Sequence, residues 1–176
     1  ENLAAHPLVL EYIRAVIGWP ARISTLSGNI NYPGAKACVL HADQIWAPEP
    51  WPTQGPLGIN FGWCIDDFTK ANGGTRIVPG SHRMNRLPRP DDEITGMVSV
   101  EAKAGSLMIF ESRLWHQTGD NVTDDVVRAA IFLLILSVFF AICMERLLIA
   151  SPNVYRQLMG IGAIFLVIGT VVKYLL

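Results

Sequence analysis

The chain has 176 residues, 51% of them hydrophobic and 16% charged, which supplies enough apolar side chain for a packed core and excludes a disordered segment. Its 14 Lys+Arg against 15 Asp+Glu give a net charge of -1 with no basic cluster, so nucleic acid is excluded as a partner. The three cysteines, Cys38, Cys64 and Cys143, are odd in number and lack CxxC spacing, which indicates neither a disulfide framework nor a zinc site and fits a reducing compartment.

The chain begins at Glu1 without a methionine or a signal-peptide pattern, and its natural N-terminus is expected to lie upstream. Leu8, Leu10, Ile13 and Val16-Ile17 recur near helical spacing until Gly18, Trp19 and Pro20, which predicts an amphipathic helix over 7–17. Turn signals then follow one another: Ser27-Gly28-Asn29, Tyr32-Pro33-Gly34, Pro48 to Pro56, Asn72-Gly73-Gly74, Pro79-Gly80-Ser81, Pro88 to Asp92, Gly105-Ser106 and Gly119-Asp120-Asn121. Between them lie short apolar stretches, Ala37–Leu40, Ile59–Ile65, Thr75–Val78, Met97–Val100 and Leu107–Phe110. This is the pattern of many short strands in a sandwich or barrel, so the first 128 residues read as mainly β.

The composition changes after residue 128, beyond which only Glu145, Arg146, Arg156 and Lys173 are charged. Residues 129–144 and 157–172 are uncharged and flank a polar link containing Ser151, Pro152 and Asn153. Two readings of 129–176 stand side by side: a last barrel strand followed by helices, or a two-helix membrane hairpin, each run being short of the roughly 20 residues that span a bilayer. They compete for one segment, because residues paired in a barrel strand from Ala129 to about Leu134 cannot also begin a membrane helix. The positive charges do not decide it, with Arg146 and Arg156 in the link and Arg128 and Lys173 outside.

The chemistry centres on His41-Ala42-Asp43. In a strand, the period of two puts His41 and Asp43 on one face, so an imidazole and a carboxylate point the same way. A distant histidine would complete a two-His-one-carboxylate facial set, which binds ferrous iron and leaves positions open for cosubstrate and oxygen. His116, in Leu114-Trp115-His116-Gln117-Thr118, is the candidate. An isolated His-x-Asp is weak by itself, and context carries the case.

That context is five motifs in order: His41-Ala42-Asp43-Gln44, Trp63 to Thr69, Asn72-Gly73-Gly74-Thr75-Arg76, Val78-Pro79-Gly80-Ser81-His82 and Trp115 to Asn121. From about residue 5 to Arg128 the chain resembles the phytanoyl-CoA dioxygenase family. The resemblance implies a double-stranded β-helix, or jelly-roll, with flanking helices. It also implies Fe(II) as cofactor, 2-oxoglutarate as cosubstrate, and hydroxylation of a small-molecule or acyl substrate by O2 with release of succinate and CO2. His41, Asp43 and His116 match the family's iron ligands, Arg128 its arginine for the far carboxylate of 2-oxoglutarate, Thr118 the assisting hydroxyl, and Trp63 an aromatic near the cosubstrate. A planar guanidinium suits that carboxylate because it donates two parallel hydrogen bonds. Outside the resemblance, Arg128 reads as a surface arginine entering an apolar run and Trp63 as core packing. Asp43 argues against halogenation, since related halogenases carry a small residue there. Gly73-Gly74 and Pro79-Gly80-Ser81 read as turns, His82 as a rim histidine, His6 as a histidine without a partner, and Asp66 and Asp67 as structural hydrogen-bonding residues on opposite faces.

The chain departs from the family in three places. Relatives are longer at the N-terminus, a glutamine frequent three residues before the first ligand is Cys38 here, and the tail is atypical in its apolar character. The leading expectation is an Fe(II)- and 2-oxoglutarate-dependent oxygenase in the cytoplasm. The alternative is a catalytically incomplete, membrane-anchored jelly-roll used for binding, and a third reading is a cupin-type metal barrel without 2-oxoglutarate. Substrate identity and oligomeric state stay open.

Overall fold

The computed structural model describes residues 3–137. One helix, α1 (Pro7–Val16), is followed by seven strands: β1 (Ala21–Asn31), β2 (Gly58–Cys64), β3 (Thr75–Ile77), β4 (Val98–Ser99), β5 (Leu107–Glu111), β6 (His116–Thr118) and β7 (Arg128–Ser137). Short 3-10 turns occupy Leu3–Ala5, Gln44–Trp46 and Ser81–Met84.

The helix forms where the periodicity predicts it and buries Val9 and Ile13, one turn apart on one face. Pro7 sits in its first turn, where a missing N–H costs nothing, and His6, expected to lack a partner, accepts the Leu8 N–H through Nδ1 at 3.3 Å. Gly18, at φ 78, ends the helix in the left-handed conformation, with its N–H donated to the Ile13 carbonyl at 3.0 Å.

The strands form two antiparallel sheets in the jelly-roll manner. One has the order β1-β7-β2-β5 and the other the order β4-β3-β6. In the larger sheet, β7 pairs along its length with β1 on one side and β2 on the other. Alternation then separates two apolar layers. Ile59 and Phe61 of β2 and Leu133 and Ile135 of β7 pack under Val9 and Ile13 of α1, with Leu107 and Ile109 of β5 against them. The opposite face carries Cys64, Ala130 and Phe132 packed with Phe68 and Met108. Gly62 is needed on that inner face, because a Cβ there would come within 2.7 Å of the Phe132 ring.

Two expectations change. Ser27-Gly28-Asn29 reads as a turn, yet β1 runs straight through it, with Gly28 opposite Ile131 and Asn29 opposite Ala130. Pairing with a long neighbour overrides the local turn preference. The apolar run after Arg128, open to a strand or a membrane helix by sequence, also has a cause: β7 is an inner strand of the sheet with no exposed residue, covered on both faces, and such strands read as continuous apolar runs. Ala129 to Ser137 are therefore committed to the sheet. Among the described residues no helix is long and apolar enough to cross a membrane, and the rest of the expected tail, 138–176, lies outside them.

Candidate metal centre

His41 reaches the centre through an irregular segment, 35–41, that lies alongside β6. The His41 N–H donates to the His116 carbonyl at 3.0 Å and the His116 N–H returns a bond to His41 at 2.8 Å. Residues paired in this way stand side by side, and the two imidazoles lie 4.4 Å apart between centroids.

Asp43 does not arrive by strand alternation. The chain leaves the bridge at His41 and turns, so that Asp43, at φ -83 and ψ -6, precedes the 3-10 turn Gln44–Trp46. The expected shared strand face is replaced by a bridge followed by a turn, and the two side chains still converge. Gln44 is the reason the turn holds. It is fully buried, its N–H donates to the Ser112 carbonyl at 3.0 Å, and its Oε1 accepts from the Leu57 N–H at 3.0 Å and the Ser112 hydroxyl at 2.9 Å. This anchoring role was not read from the motif, although Gln44 stands next to Asp43 within it.

The resulting geometry suits a cation. Asp43 Oδ1 lies 3.7 Å from His41 Nε2, Asp43 Oδ2 lies 3.4 Å from His116 Nε2, and one ligand atom from each of the three residues falls within 4.8 Å of the others. His41 Nδ1 faces the Val39 carbonyl at 2.8 Å and His116 Nδ1 faces the Leu114 carbonyl at 2.9 Å. A carbonyl only accepts, so each Nδ1 carries the proton and each Nε2 is turned to the shared centre, the orienting arrangement of histidine metal ligands. Two nitrogens and one carboxylate with open positions beyond them form a donor set for iron.

The surroundings pull the two histidines apart. Burial pushes His116 below its ordinary value. His41 is raised to about 9, chiefly by its hydrogen bond with the Cys38 thiol, and the same bond lowers Cys38. Phe110, on the inner face of β5, stands edge-on to His116 at 4.8 Å and makes an apolar wall.

Arg128 opens β7 on the inner face and is 0% exposed. Its Nη1 donates to Asn29 Oδ1 at 2.7 Å and its Nη2 to the Gly73 carbonyl at 3.0 Å, and the Phe68 ring lies 4.6 Å beneath the guanidinium. Nε is buried without a partner. Among the described residues no carboxylate forms an ion pair with Arg128, and burial lowers its pKa. The surface-arginine reading is thereby excluded. Gly73 is held at φ 76 with Asn31 Nδ2 packed where a Cβ would sit, and Asn31 Nδ2 also donates to the Gly119 carbonyl at 3.1 Å. The Asn72-Gly73-Gly74 turn thus links Arg128 to Gly119, the neighbour of Thr118 in β6. Asn29, Asn31 and the Gly73 carbonyl escaped the sequence reading, though asparagines two apart entering an apolar pairing are a legible signal of an inward polar face.

Trp63 does not join this group. It lies on the helix-facing side of β2 with Phe61, its ring centroid 6.3 Å from that of Phe61, and packs against the cluster under α1. Strand alternation puts Trp63 on the face opposite Cys64 and Arg128, so the structure does not bring this expected cosubstrate aromatic together with Arg128. His82 lines a separate cleft with Thr53, Arg83, Asn85 and Arg113. Asp66 accepts the Ala129 N–H at 2.8 Å and Asp67 the Ala104 N–H at 2.8 Å, both in structural roles.

The sequence profile of the phytanoyl-CoA dioxygenase (PhyH) family matches residues 1–130. The chain belongs to that family. It is 36% identical over 134 residues to dioxygenase af480 of Aspergillus fumigatus, covering 75% of this chain and 43% of that protein. It is 32% identical over 139 residues to the Fe(II)/2-oxoglutarate-dependent dioxygenase nvfF of Aspergillus novofumigatus, covering 76% of this chain and 45% of that one. The chain therefore spans less than half the length of either relative. Among solved structures, EctD from S. alaskensis with bound Fe superposes with a TM-score of 0.65 at 23% identity over 77% of this chain and 52% of that one, a likeness of fold.

Proposed function

We propose that this chain is an Fe(II)- and 2-oxoglutarate-dependent oxygenase that hydroxylates a small-molecule or acyl substrate and releases succinate and CO2. The observation that carries the reading is the convergence of His41, Asp43 and His116 within 4.8 Å, with both Nδ1 atoms committed to backbone carbonyls. Iron held there supplies oxygen activation, with 2-oxoglutarate as the electron donor.

The chain's own residues have separate tasks in this reading. Asp43 supplies the negative charge that the imidazoles cannot, His41 giving up its Nε2 proton when a cation binds, and the carbonyls of Val39 and Leu114 hold each Nδ1 proton in place. Arg128 offers a buried cation without an ion-paired carboxylate to the distal carboxylate of 2-oxoglutarate. Asn29 and Gly73 hold its fork in place, so binding costs little reordering. Thr118 adds a hydroxyl on the strand that carries His116. Phe110 and Phe68 keep the surroundings apolar, which strengthens charge pairing by limiting water.

The test is succinate formation by the purified full chain given Fe(II), 2-oxoglutarate and oxygen, with and without candidate substrates. The wild type forms succinate, and Asp43→Ala and His116→Ala do not. Equal succinate from the wild type and both variants would overturn the proposal.

A further inference from the structure

The segment carrying His41 pairs with β6 out of step. Between the His41–His116 bridge and Thr118, β6 advances two residues, whereas the opposite segment advances three, because the Thr118 carbonyl accepts the Cys38 N–H at 3.2 Å. A regular ladder would put Val39 opposite Thr118. One residue is therefore extra, which defines a bulge at Val39–Leu40, and Val39 is 84% exposed.

The bulge redirects two backbone groups. The Val39 carbonyl, which a regular ladder would offer to Thr118, turns to His41 Nδ1 at 2.8 Å. The Thr118 N–H, left without that carbonyl, donates to Cys38 Sγ at 3.1 Å. The thiol thus stands in for the ladder acceptor whose diversion sets the His41 tautomer.

We infer that Cys38 is a positioning residue, whose sulfur accepts the Thr118 N–H and so keeps the Val39 carbonyl free to aim His41 Nε2 at the metal centre. The inference rests on the proposed metal-binding function, and it reaches the reaction only through His41 and Thr118. It accounts for a cysteine at this position by acceptor chemistry: alanine cannot accept the bond, whereas serine keeps an acceptor of shorter reach.

The experiment compares wild type, Cys38→Ala and Cys38→Ser in the full chain, with two readouts. The first is amide exchange at Thr118 in metal-free protein by NMR, and the second is Fe(II) affinity under anaerobic conditions. Cys38→Ala is expected to speed Thr118 exchange by about fivefold, the scale of one hydrogen bond, and to weaken Fe(II) binding by about tenfold, the scale of losing a partner that orients a metal-binding histidine. Cys38→Ser is expected to recover most of both. The inference is overturned if alanine changes neither readout, or if serine is as defective as alanine, which would assign the residue to packing. If the wild type binds no Fe(II), the metal reading fails and the positioning role with it, whereas Thr118 exchange still reports whether the sulfur bond exists.

Discussion

The two sheets are built on different terms. In the sheet β1-β7-β2-β5 the strands are long, the ladder is regular apart from one shift between Ile23 and Thr25, and both faces of β7 are covered. In the sheet β4-β3-β6 the strands have two or three residues, and isolated bridges at His41–His116, Phe68–Ala102 and Asn72–Asn121 extend the pairing. Side chains replace backbone partners there: Cys38 for the Thr118 N–H, Asp120 for the Ala37 N–H at 3.1 Å, and Asn72 for the Thr69 N–H at 2.9 Å. The regular sheet supplies stability, and the irregular one supplies direction. Ligands need carbonyls and side chains aimed at a point, which a uniform ladder does not provide.

The sharpest way to break the comparison is to damage the regular sheet. Phe61→Ala, in the layer under α1, is expected to cost about 3–5 kcal/mol of unfolding free energy, read by urea denaturation. Asp43→Ala, at the irregular sheet's edge, is expected to change stability by less than about 1 kcal/mol while abolishing metal binding. If both variants lost comparable stability, the division between scaffold and site would not hold.

A smaller effect is expected at the turn that joins the two. A Cβ on Gly73 would meet the Gly119 carbonyl at 2.6 Å and would also require a φ of 76. Gly73→Ala is expected to cost about 2–4 kcal/mol and to weaken 2-oxoglutarate binding more than iron binding, since Gly73 holds Arg128 and not the ligands.

Arg128→Lys keeps the charge and removes the fork. It is expected to raise the KM for 2-oxoglutarate by about tenfold, with Fe(II) affinity unchanged. An unaltered KM would remove Arg128 from the cosubstrate site.

The smallest effect lies in the 85–92 loop, outside both sheets. The Arg86 guanidinium beside Asp92 lowers that carboxyl to about 2, so the pair stabilises the fold above the usual carboxylate value of 3.8. This contribution is lost as the pH falls through about 2. Asp92→Asn is expected to make acid unfolding below pH 3.8 slightly shallower, with the spectra of the metal centre unchanged at neutral pH.

The mainly-β character was legible from local pattern, while the jelly-roll class and the three clustered side chains were legible through the resemblance that the ordered motifs carry. Short apolar runs between turns marked the strands, and the five motifs carried His41, Asp43 and His116 to one family. Less was legible where pairing decides. Ser27-Gly28-Asn29 looks like a turn until β7 pairs with it, and Trp63 looks equally suited to either face of β2 until α1 is packed. The convergence of His41 and Asp43 was expected for a strand and is achieved by a bridge and a turn. The bulge at Val39–Leu40 has no sequence mark, because it is a count of residues between two partners on another strand.

The central claim is that His41, Asp43 and His116 at the irregular sheet, with Arg128 from β7 of the larger sheet, form one site for iron and 2-oxoglutarate. Its most direct test is an anaerobic titration of the full chain with Fe(II) and then 2-oxoglutarate, followed by visible absorption. The account predicts a weak charge-transfer band that appears only with both components, is absent in Asp43→Ala and is lost or weakened in Arg128→Ala. Failure of the wild type to bind Fe(II), or a spectrum indifferent to 2-oxoglutarate, would contradict it.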